Sequence, residues 1–102
     1  MIAGGVNENG HSEVFVLTNS GEVRNRYKND AGDWSAYGSL GHPGSGVGIT
    51  YWVNENKNSE VAVYRSDGSV VKLWKTRDET GKSIGWNKNE DGSLAWSGFG
   101  IP

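Results

Sequence analysis

Val6-Asn7-Glu8-Asn9 returns as Val53-Asn54-Glu55-Asn56, and Ser12-Glu13-Val14 returns as Ser59-Glu60-Val61. Both pairs share an offset of 47 residues. At the same offset Ile2 meets Ile49, Val16 meets Val63, Gly21 meets Gly68, Val23 meets Val70 and Lys28 meets Lys75. Tyr27 meets Trp74 and keeps an aromatic ring. A period in the forties is that of a four-stranded propeller blade or of a helical HEAT-type unit. Composition decides between them. The 102 residues include 16 Gly, scattered along the chain, with 5 Trp, 4 Tyr and 2 Phe. Long helices want Ala, Leu, Glu and Lys and few Gly. Pleated sheets want aromatic and β-branched residues, with Gly in the turns.

Working outward, each copy reads as strands joined by tight turns. Ser12 to Thr18 carries four apolar residues in a row and predicts a strand buried on both faces, as does Glu60 to Arg65. Asn19-Ser20-Gly21 and Ser66-Asp67-Gly68 are hairpin signals, because Gly takes the positive φ such turns need. The returning strands are Val23 to Lys28 and Val70 to Lys75, and the preceding ones are Ile2 to Val6 and Ile49 to Val53. A closing strand holds Trp34 to Gly41, and its second copy, Trp96 to Pro102, lies at an offset of 62. The first repeat therefore spans 1–46. The second spans 47–102 with an insertion within 77–95 that includes Trp86. The expected fold is all-β, two four-stranded antiparallel propeller blades.

These residues resemble a family. Glu13 to Val16, Gly21, Tyr27 and Trp34 to Gly41, with Glu60 to Val63, Asp67-Gly68, Trp74 and Trp96 to Phe99, look like the blade repeat of bacterial β-propeller lectins of the Photorhabdus type. The sequence departs from that pattern at Ser20-Gly21, in the insertion and at the Ile101-Pro102 end. The resemblance implies a sugar-binding protein. Two blades do not close a ring of about four to eight, so it also implies a homo-oligomer. A trimer fits best, as in small two-bladed lectin chains. A fragment of a longer propeller is the alternative.

Sugar recognition needs an aromatic face for the C–H patch of a pyranose and planar polar groups for its hydroxyls. The aromatic candidates are Trp34, Tyr37, Trp52, Trp74 and Trp96. The polar ones are Asn54, Glu55, Arg65, Asn7, Glu8 and His42. Trp34 and Trp96 share a repeat slot and read first as core. Trp52 stands where the first repeat has Gly5, so the blade itself does not demand a ring there, and either it or Trp74 is the expected stacking platform. Arg65 or Asn54 is the expected hydroxyl partner. Trp86 is either a lid over a ligand or a cap on strand edges.

Other chemistries find less. The net charge of -2 offers no basic stripe for nucleic acid. No apolar run reaches membrane length, and Met1 to Gly5 shows no classical signal peptide. With no Cys there are neither disulfides nor thiolate metal sites. Glu13 and Glu60 recur in both repeats, as a structural slot would, and His11 and His42 lack a nucleophilic partner, so no enzyme is expected. Asp67-Gly68-Ser69 resembles the Asp-box turn of sialidases, itself structural. Asn87 to Gly92 resembles half of a calcium loop, but Gly98 stands where the loop's closing Glu would be. No cofactor or metal is expected. Three function classes remain: a glycan-binding lectin, which is favoured; a structural or protein-interaction module that binds no sugar; and a glycoside-processing enzyme, disfavoured because no unique acid/base constellation appears.

Overall fold

A computed structural model describes residues 1–100 of the chain, with side chains through residue 98. Among them there is no helix, so none is long and apolar enough to cross a membrane. The first sheet contains β1 (Ile2–Val6), β2 (Ser12–Leu17), β3 (Val23–Tyr27) and β4 (Gly38–Ser39) in sequence order. The second contains β5 (Gly46–Val53), β6 (Ser59–Arg65), β7 (Val70–Arg77) and β8 (Ser83–Trp86), again in order. β9 (Ser97–Gly100) pairs with β7 on the same edge as β8. All pairings are antiparallel.

The two sheets share one register. Ile2 pairs with Val16 as Ile49 pairs with Val63, and Glu13 with Tyr27 as Glu60 with Trp74. One turn geometry produces it. In Asn7–His11, Thr18–Glu22, Asn29–Asp33, Asn54–Asn58, Arg65–Ser69, Asp78–Lys82 and Asn89–Ser93, the first amide donates to the last carbonyl and the fourth amide to the first carbonyl. This is a type I turn closed by a bulge, whose fourth residue must take positive φ. Six of those fourth residues are Gly, and the seventh is Lys57 at φ 62. At Asn89–Ser93, within the segment that resembles half of a calcium loop, the Asp91 carboxylate accepts from the amide and hydroxyl of Ser93.

The turns also correct one expectation. Trp34 and Trp96 do not share a slot. Lys28 bridges to Trp34, and Lys88 bridges to Leu94 across the same turn geometry, so Leu94 holds the place of Trp34. The Trp-Ser identity misleads because backbone register is fixed by Lys28-Asn29-x-x-Gly32 and its match Lys88-Asn89-x-x-Gly92. Trp96 packs against the core and donates its indole N–H to the Leu40 carbonyl at 2.7 Å, whereas Trp34 is exposed. Of the expected closing segment Trp96 to Pro102, Ile101 and Pro102 lie outside the described residues. The segment before it forms the end of β7, the turn at Asp78–Lys82 and β8.

The sheets stack in one direction. The face of the first sheet that carries Glu13, Phe15, Leu17, Val23 and Asn25 is buried, while Val14 and Val16 on the other face are only half-buried. Burial of β2 on both faces is therefore not what forms. The second sheet contributes Val61, Val63, Val71 and Leu73 to the same core, with Ile49, Tyr51 and Trp86 packed against it. In the repeat these residues correspond to Val14, Val16, Arg24 and Arg26, the opposite face. The front of one sheet thus lies on the back of the next. Phe15 stacks on Tyr51 with ring centroids 4.8 Å apart and meets Trp86 edge-on at 5.8 Å. β5 approaches so closely that a Cβ on Gly46 would come within 2.8 Å of the Leu17 side chain, so only Gly fits.

Candidate functional site

At one end of the seam between the sheets lies a cleft of about 750 Å³. Its floor begins with Asn7. The side-chain oxygen of Asn7 accepts from the amides of Asn9 (2.9 Å) and His11 (3.1 Å), which fixes the turn. Its amide nitrogen then points at Glu13 and donates at 3.1 Å. Asn25, two strands away on the same face, donates to the other Glu13 oxygen at 3.1 Å. Lys75, from the back of the second sheet, completes the group at 2.8 Å from Glu13 and 3.1 Å from Glu8. Glu13 is fully buried, and the Glu8 side chain is almost so. The hydroxyl of Ser59 donates to Glu8 and is itself within 2.6 Å of the Tyr51 hydroxyl. Two carboxylates therefore share one ammonium across the seam, helped by amides and hydroxyls.

These contacts set the proton equilibria. Burial pushes the Glu8 carboxyl up, but the Ser59 hydroxyl, its own backbone amide and the Lys75 ammonium outweigh burial and hold it below its ordinary value. Burial, aided by the charges of Glu13 and Glu8, pushes the Tyr51 hydroxyl up to about 12, so it remains a donor at neutral pH. No buried side-chain nitrogen or oxygen among the described residues lacks a partner. The floor is satisfied internally, which leaves ligand contacts to the rim.

The rim mixes aromatic and polar side chains. Tyr27 is exposed on one wall and Trp86 half-buried on the other, with Lys75 5.0 Å from the Trp86 ring centroid. Asn9 and the pair His11–Asp30, 3.1 Å apart, add planar polar groups. Sequence reasoning passed over His11, Asp30 and Tyr27. The signal for Tyr27 was its match to Trp74. Trp86 does cap the core through Phe15, and it also lines the cleft.

The structure places the residues favoured by sequence elsewhere. Trp52 lies with Ala62, Tyr64 and Val70 around an apolar hollow of about 260 Å³ on the front of the second sheet. Trp74 shares that face and has Lys72 5.5 Å from its ring centroid. Asn54 repeats the role of Asn7, holding the amides of Asn56 and Asn58 and donating to Glu60 at 2.8 Å. Glu55 is exposed in that turn. Arg65 is engaged by the Ser69 hydroxyl (2.8 Å) and the Pro43 carbonyl (3.0 Å). Trp34 and Tyr37 are on the back of the first sheet and flank the Arg26 guanidinium at 5.6 and 4.9 Å. His42 is exposed and outside the cleft. Asn7 is at the cleft, and Glu8 is tied to its floor by Lys75.

No protein-family model matches the chain, and no curated protein matches it significantly.

Proposed function

We propose that this protein is a carbohydrate-binding lectin whose sheets are propeller blades, that it contains no catalytic site, and that copies complete the ring, a trimer giving six blades. The observation that carries this reading is the cleft between the sheets, where two aromatic rings flank a polar rim over a rigid, hydrogen-bonded floor. Tyr27 and Trp86 suit the apolar face of a pyranose, and Asn9, His11 and Asp30 suit its hydroxyls. The front-to-back stacking of the sheets and the blade-repeat resemblance to Photorhabdus-type lectins support it as well. Both buried carboxylates are held by Lys75, which suits them to anchoring rather than to acid–base exchange.

A shallow site of this kind binds one sugar weakly, with a dissociation constant on the order of micromolar to millimolar. Several sites on one ring raise avidity for a glycan-coated surface by roughly 10²–10⁴. A glycan array tests the reading, with Trp86→Ala and Tyr27→Ala as controls. Binding that is lost in those variants while the fold persists supports it. An array without binding transfers the case to the protein-interaction module, which the uncovered apolar side chains Ile2, Val6 and Tyr64 favour.

A further inference from the structure

The chain carries its own template for docking a second copy. At the seam within the chain, the front of the first sheet meets the back of the second. No other sheet covers the back of the first sheet or the front of the second, although Glu60 and Ala62 on that front are shielded by their own neighbours. Because both sheets share one register, the contacts between residues 2–28 and residues 49–75 across the internal seam have counterparts, displaced by one repeat, between those two open faces, whereas those of Trp86 and Trp96 have none. We propose that a second copy of this chain docks there, the front of one second sheet on the back of another first sheet, in the register of the internal seam. The inference rests on the ring in the reading above but not on its sugar.

Shape supports this. Inside the chain the front position is Gly5, and a Cβ there would lie 3.4 Å from the Tyr51 ring that fills the space from the opposite side. One repeat on, the sizes are exchanged: the front position is Trp52 and the back position is Gly4. A large group meets a small one at either seam. The hollow beside Trp52, with Ala62 and Tyr64, is the place where the first sheet carries Phe15 and Leu17 against its neighbour.

Charge supports it independently. Across the internal seam Glu8 reaches Lys75 and Ser59, and Glu13 reaches Lys75. The counterparts are Glu55 and Glu60 on the open front, and Lys28 and Ser12 on the open back. Glu55 and Lys28 each have no ion pair among the described residues, and Lys28 rests 5.5 Å from the Trp34 ring centroid. The open back also carries Arg24 and Arg26 where the internal seam has Val71 and Leu73. The seam between copies is therefore the more polar one, and salt weakens it. Contacts of this head-to-tail kind propagate into a ring when the rotation closes.

Native mass spectrometry and sedimentation of the full chain test the proposal with Lys28→Glu, Glu55→Lys and the charge-exchanged double variant. Both substitutions fall on exposed or half-exposed side chains, so folding is checked by circular dichroism and expected to persist. Each single variant should raise the dissociation constant between copies on the order of 100-fold. The double variant should restore it to within about tenfold of the parent. A parent protein that is monomeric at tens of micromolar overturns the proposal. So do single variants that assemble like the parent, or an exchange that restores nothing. Assembly that breaks and recovers as described upholds it even where the glycan array is blank, because that blank bears on the sugar alone.

Discussion

Glu13 and Glu60 occupy the same place in two sheets built to the same register, and they do different work. Glu13 is wholly shielded and is held by Asn7, Asn25 and, from the other sheet, Lys75. Glu60 keeps the turn asparagine, Asn54, but its cation is Lys72 from its own sheet, and its side chain remains 10% exposed. The sequences around the two are nearly the same. What differs is whether a second sheet covers the face. A repeat therefore fixes the register and the turns, and the neighbour decides which residues become core.

The largest expected effect tests that division directly. Phe15 is fully buried between Tyr51 and Trp86, while its repeat counterpart is the small Ala62, on a face that no other sheet covers. Phe15→Ala should cost about 3–5 kcal/mol, a large share of a small domain's stability. Urea denaturation measures it, and a loss below about 1 kcal/mol would show that the two faces are not the distinct environments described.

The lysines sharpen the comparison. Lys75→Met leaves Glu13 buried without its cation and should cost about 3–5 kcal/mol. Lys72→Met, at the partly exposed counterpart pair, should cost about 0–1 kcal/mol. Equal losses in thermal melts of the two variants would erase the contrast between Glu13 and Glu60.

The sheets were legible in the sequence because hairpin signals and short apolar strands act locally. Gly21 and Gly68 mark turns whichever way the sheets later pack. The site was less legible, because it depends on which face is covered. Trp52 faces the open side and Tyr51 the covered one, a difference of one residue that no pattern within a single repeat reveals. The cleft draws Trp86 from the insertion and Lys75 from the second sheet to residues of the first, contacts of long sequence separation. Trp34 and Trp96 misled for the opposite reason: a local identity was given weight that the turn beside it contradicts.

Acid probes the seam at intermediate strength. The Glu8 carboxyl in the folded chain lies below the ordinary 4.5, so it binds protons less readily there than in the unfolded chain. Its contribution to stability is complete above that ordinary value and is lost as pH falls through the lowered one. Midpoints of urea unfolding from pH 7 to pH 3 should drop on the acid side. The drop should be shallower in Glu8→Gln, and unchanged steepness in that variant would remove Glu8 from the account.

The smallest expected effect lies in the turns. Gly10 and Lys57 hold the same place one repeat apart, at φ 79 and φ 62. A left-handed backbone brings the Cβ of an L residue against its own following carbonyl, at roughly 1–2 kcal/mol. Gly removes that strain but adds freedom to the unfolded chain, worth roughly 0.4–1 kcal/mol in the other direction. The Lys57 amide donates to Asn54 and its carbonyl accepts from Arg77, and both contacts are made by backbone atoms that the substitution retains. Lys57→Gly should therefore stabilise the chain by about 0.5 kcal/mol, read as a higher urea midpoint at unchanged slope. Gly10→Lys, which meets no neighbouring atom within 4 Å, should destabilise it by a similar amount, because its only penalty is backbone strain. If the two substitutions moved the midpoint in the same direction, the two turns would not be equivalent, and the shared register would have to arise from the strands alone.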